Sequence, residues 1–218
     1  MKIINKLIAL RRSGIPLGYL VLHYLKLKVV FKVSGFCKTG KLYSIHPFSS
    51  VKCHSKLRAG KGFVIYRNAY IDALSSDGVF FGYGCSIGMN TVIQCTSLLN
   101  QLGKGLIVGN NTGLGTHSFY GCAGGITLGD NVMVGNYVSF HSENHIFIDK
   151  NKTIREQGVS HEGIVVGNDC WIGAKATILD GTIIEDGCVV AAGAVCRGYY
   201  PKNSIIAGVP AKVIKTRE

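Results

Sequence analysis

Residues 164–195, IVVGNDCWIGAKATILDGTIIEDGCVVAAGAV, carry the pattern that decides the fold. Val166, Ile172, Ile178, Ile184 and Val190 recur every six residues, and the fifth position of each unit is small: Cys170, Ala176, Thr182, Cys188 and Ala194. Gly or Ala often takes the second position, as at Gly167, Gly173 and Ala191. Neither a helical period of 3.6 nor a strand period of 2 produces a six-residue rule with a small fifth residue. A three-sided coil does: each hexapeptide forms one short strand, its aliphatic residue points inward, and the small residue fits beside the bend. The spacing therefore predicts an all-β fold, a parallel β-helix with three hexapeptides to each turn.

Outward from this stretch the pattern continues with interruptions. Phe81 and Ile87 open units with Cys85 and Thr91 in the small position. Val108 and Leu114 do so with Thr112 and Ser118, Leu128 and Val134 with Val132 and Val138, and Ile45 and Val51 place the first coil near residue 42. Between Ile146 and Gly163 the phase is lost over a segment with six charged residues, which predicts a loop excursion at about 146–163. The end, SIIAGVPAKVIKTRE, leaves the repeat and is expected to cover the last coil. This divides the chain into a basic, apolar N-terminal segment over 1–41 and a β-helix domain over 42–218 with a C-terminal cap.

The net charge of +12 is lopsided: residues 1–71 hold fourteen Lys or Arg and no acid, Asp72 being the first. Such a field attracts an anionic partner. The longest uncharged run of the first 36 residues, Ser13–Leu25, is shorter than a confident bilayer span, and the segment lacks a signal-peptide cleavage pattern. It fits a basic amphipathic helix on a membrane surface or a helical cap over the end of the main domain, and both readings stand. No nucleic-acid motif accompanies the charge. The eight cysteines show no CxxC pair or staple spacing and read as reduced core thiols, implying a cytoplasmic protein, peripheral on the inner face of the cell membrane if the N-terminal helix binds lipid.

The strings SFHSENHIF, Gln157-Gly158, the stretch quoted first and AGVPAKVI together resemble the hexapeptide-repeat acetyltransferases. The similarity is to the maltose, galactoside and Nod-factor type and to bacterial polysaccharide O-acetyltransferases, strong over 126–215 and weaker over 42–125. The resemblance implies a left-handed β-helix, a homotrimer with each active site between two subunits, and transfer of an acetyl group from acetyl-CoA to a sugar hydroxyl without a metal. The matching position for the family's base is His145. A sugar hydroxyl must lose its proton as it attacks the thioester, and an imidazole with an ordinary pKa near 6.5 can take it at neutral pH. By the same resemblance Trp171, Ala174 and Ala192 would line the CoA groove, with Arg197, Lys212 and Lys215 near its phosphates. On the acceptor side, His117, His141, Glu143 and Asn144 are candidate contacts, although GTHSFYGCAGG replaces the Asn and Asp that the sugar acetyltransferases present.

Each candidate has a plainer reading. Trp171 could be an exposed aromatic, the terminal lysines a solvated tail, Ala174 and Ala192 obedience to the repeat, His117 a capped turn, and Glu143 a solvated corner. Two alternatives remain for the whole chain. His117, His141 and His145 could hold zinc as in γ-type carbonic anhydrases, or the solenoid could be a non-catalytic, membrane-associated scaffold. The acceptor sugar, its hydroxyl position and the acyl-chain preference are not legible.

Overall fold

Residues 14–96 and 99–218 are described by the computed structural model, so the part of the basic segment before Gly14 lies outside the described residues. Three parallel sheets form the faces of a left-handed β-helix. The first face runs from Ser44–Ile45 to Ser204–Gly208, the second from Ser50–Lys52 to Val195–Cys196, and the third from Leu57–Ala59 to Tyr199–Tyr200. Every aliphatic and every small residue of the 166–194 pattern is buried, because the period places each inside one column of the prism. Cys170 shows how the bend is closed: its thiol donates to the Glu185 carbonyl at 3.2 Å, one coil on.

Side chains also hold the corner between the third and first faces. The backbone N–H of Asn110 donates to Asp130 Oδ1 at 2.6 Å, that of Asp130 to Asn168 Oδ1 at 2.8 Å, and that of Asn168 to Asp186 Oδ1 at 2.7 Å. Asn111, Asn131, Asp169 and Asn203, in the same column of turns, take positive φ, which Asn and Asp tolerate better than most residues.

Among the described residues coil length changes from coil to coil, always at the same corner of the prism. Trp171 lies against Val189, 18 residues on, as a strict three-hexapeptide turn requires, whereas Met133 lies against Trp171, 38 residues on. All the larger additions fall at the corner between the second and third faces. One is the segment between Gln94 and Gly105, which broke the sequence pattern without revealing its place. The other is the expected excursion, which has structure of its own. An antiparallel ribbon pairs Asn144–His145 with Val159–Ser160, and a helical turn, Ile154–Gln157, lies between them. That turn starts in a capping box, in which the Thr153 N–H donates to Glu156 at 3.0 Å. The ribbon closes where the Ile146 N–H meets the Gly158 carbonyl at 3.0 Å, and Gly158 has φ 79 and ψ −153, a conformation open in practice only to glycine.

The prism's first coil is covered by a helix, Leu17–Leu25, that passes through a π-helical turn, Lys26–Val30, into Phe31–Thr39. Leu20, Phe31, Gly35 and Thr39 face inward. A methyl group at Gly35 would overlap the Tyr43 carbonyl, so the helix seats closely. At the other end Ala211–Thr216 folds back antiparallel on Ser204–Gly208. All eight cysteines are free and six are buried; burial pushes the thiols of Cys170 and Cys196 up to about 11, leaving them inert.

Candidate active site

The ribbon at the second–third corner carries the candidate base. Its pairing sets Asn144 opposite Ser160 and His145 opposite Val159, so alternation along the strands puts Glu143, His145, Val159 and His161 on one side of the ribbon. His145 is exposed, and with Gln101, Ile154, Arg155, Gly158 and Val159 it lines a groove of about 420 Å³. Its ring is therefore turned away from the core, toward a groove that Arg155 also lines.

Two residues along, His161 Nε2 lies 2.8 Å from Glu143 Oε2, with 27% and 30% of the two side chains exposed. The sequence reading included Glu143 but not His161, eighteen residues later. Only the hairpin register brings the two together. A separate groove, of about 240 Å³, lies on the third face and is lined by Asp77, Lys104 and Glu162 among others.

His141 ends a strand of the second face, with its ring 5.5 Å from that of Phe119. Burial lowers its pKa below 6.5. The unfolded chain takes up this proton first as the pH falls, so the neutral ring supports the fold above about pH 6.5 and that support is lost as the pH drops toward the depressed folded value. His46 shares the direction, through burial and then the charges of Arg67 and Lys26. Urea midpoints compared between about pH 7.5 and about pH 5.5 should fall less for His141→Gln than for the wild type; equal losses would remove this role.

His117 sits elsewhere. It occupies the left-handed position (φ 55) of a turn between the first and second faces, hydrogen-bonds Asn90 at 2.8 Å and stacks on Tyr137 at 4.9 Å. The capped-turn reading describes these contacts, and the fold does not bring His117 to the ribbon. Among the described residues no three His, Cys, Asp or Glu side chains converge as a metal site.

The residues assigned to CoA divide between two edges. Trp171, 53% exposed, shares a row of the first face with Val189, Ile205 and Lys215. Ala174 and Ala192 are exposed in stacked turns between the first and second faces, and Lys212 pairs with Ala207 at the end of that edge. Arg197 lies at the second–third corner instead, away from this edge of its own chain.

Coils that repeat every six residues, stack in three parallel sheets and throw one histidine-bearing ribbon from a corner define a hexapeptide-repeat β-helix protein. The profile of the bacterial transferase hexapeptide (six repeats) matches residues 163–198, and that of the hexapeptide repeat of succinyl-transferase matches 105–138. A probable acetyltransferase of Mycobacterium tuberculosis is 30% identical over 73% of this chain and 49% of its own, so the chain spans about half the length of that relative. WbbJ of Escherichia coli, which carries the name of a lipopolysaccharide biosynthesis O-acetyl transferase, is 29% identical over 70% of this chain and 81% of its own. A crystal structure of AntD, an N-acyltransferase from Bacillus cereus in complex with dTDP and coenzyme A, superposes with a TM-score of 0.61 at 20% identity, covering 73% of this chain and 84% of that one. The chain belongs to the hexapeptide-repeat (left-handed β-helix) acetyltransferase family.

Proposed function

We propose that the protein is an acyl-CoA-dependent O-acetyltransferase that moves an acetyl group from acetyl-CoA to a sugar hydroxyl of a bacterial surface polysaccharide or its precursor. The observation that carries this reading is the exposed imidazole of His145 on the first strand of the ribbon, beside a groove and clear of the core. His145 takes the hydroxyl proton as the sugar oxygen attacks the thioester carbonyl. Backbone N–H groups at the corner stabilise the oxyanion, the C–S bond breaks, and the imidazolium returns the proton to the departing thiolate. In this reading Glu143 would meet the acceptor on the His145 side of the ribbon, with Asn144 and His141 as further candidate contacts. The names of WbbJ and AntD support a glycan or nucleotide-sugar acceptor.

The edge between the first and second faces suits CoA: stacked Ala174 and Ala192 leave room for a pantetheine arm, Trp171 flanks it, and Lys212 and Lys215 stand where phosphates would end. That edge and the His145 corner are different edges of one prism. Direct transfer then needs the imidazole of one chain to meet the thioester held by another, which supports a site between subunits, as in a homotrimer. Exposed Phe147 and Ile148 on the loop, and Ile107, Val165 and Ile183 on the third face, supply apolar surface for such contacts. In that assembly Arg197 would serve a CoA bound across the interface. The test is CoA release from acetyl-CoA with glycan acceptors, together with mass spectrometry of surface glycans with and without the gene. Unchanged glycans and no acceptor-dependent release would end this reading.

One observation favours a second assignment of the base. His161 has a carboxylate partner that fixes its ring, as the base of a nucleophile–base–orienter set usually has. If His161 is the base, His161→Asn abolishes turnover while His145→Asn spares it. If His145 is the base the order reverses, and Glu143→Gln raises the acceptor KM with kcat little changed.

A further inference from the structure

The helix over the first coil is apolar on both sides. Its inner side is used by the prism, but Leu22 (56% exposed), Leu25, Val29, Val33 (60%) and Phe36 (56%) recur at steps of three or four along the outer side. Lys26, Lys28, Lys32 and Lys38 flank this stripe. The same surface continues onto the first coil, where Leu42 and Phe48 are exposed, the Arg67 guanidinium lies 5.3 Å over the Phe48 ring, and Lys32, Leu42 and Lys61 share a groove.

We propose that this surface docks in the plane of an anionic lipid bilayer, with the stripe in the acyl boundary and the lysines among the headgroups. Charge selects the occupant. No acid occurs before Asp72, so a second copy packed about a two-fold axis would set lysines against lysines, whereas anionic headgroups complement every charge on the face. Among the described residues no helix is long and apolar enough to cross a membrane, so contact is along the surface. The inference stands apart from the acyl-transfer reading, and its test does not read activity.

The full chain is sedimented with vesicles of phosphatidylcholine alone and of phosphatidylcholine mixed with phosphatidylglycerol. Binding is expected to the mixed vesicles, weakening as salt is raised, and Leu25→Glu with Val33→Glu should weaken it about ten-fold or more. Both side chains face solvent, so the thermal midpoint and turnover on a soluble acceptor should stay at wild-type values. Equal or absent binding to the two vesicle types overturns the proposal. So does an outcome in which the glutamates dissociate an oligomer and leave vesicle binding intact, since the stripe would then belong to another copy.

Discussion

Replacing His145 with Ala is expected to lower kcat by roughly 10² to 10⁴ while leaving the fold intact. The two halves of that statement rest on the same geometry. The ring is exposed, so its removal opens no cavity and should leave the thermal midpoint unchanged. The proton it accepts has to leave the hydroxyl during attack, so the loss falls on the chemical step, with the acetyl-CoA KM nearly unaffected. Steady-state kinetics on a glycan acceptor, with a melting curve for the same preparation, checks both. A stable variant with wild-type turnover would move the base to another residue, and the Glu143–His161 pair is the first place to look.

How far such a site can be read from the chain depends on which residues obey the repeat. Val166 through Val190 and their small partners were legible because a period of six states directly which side chain enters the core; all ten are buried. The interrupted units from Phe81 to Val138 were legible for the same reason. Where the period fails, sequence shows that the chain leaves the prism but not by which corner. The shared corner of the 94–105 and 141–164 insertions, and with it the approach of Gln101 to His145, was therefore hidden. His161 was missed because its partner precedes it by eighteen residues, and only the pairing of Asn144 with Ser160 sets them face to face. The available signal was weak: short strand-like pairs on either side of a capped turn and Gly158. His117 was read as a candidate acceptor contact one coil from the site; its left-handed turn position and its Asn90 partner, on the first–second edge, are not visible without backbone geometry. Arg197 was assigned through resemblance to a family whose sites are shared between chains, so its place at a different corner from Ala192 was not something one chain's pattern could reveal.

The same corner offers the largest expected effect on stability. Asp180 is 1% exposed and closes the second-face strand Thr177–Leu179. Its carboxylate accepts the Glu162 N–H at 3.1 Å and the Gly163 N–H at 2.8 Å, the two residues by which the excursion returns to the third face. Asp180→Ala would leave two part-buried backbone donors without protein partners. At about 1–3 kcal/mol for each orphaned group, the loss from two should reach roughly 2 kcal/mol or more. For a domain of this size that corresponds to a fall in Tm of about 4 °C or more. Asp180→Asn keeps one acceptor oxygen and should lie between. Because the same two N–H groups fix the limb that carries His161 and pairs with His145, turnover should fall with stability, and proteolysis within 146–160 should accelerate even well below the melting temperature. Should Asp180→Ala melt and resist protease like the wild type, the ribbon must be held by its own hairpin and capping box, and the carboxylate would be only a filler of the corner.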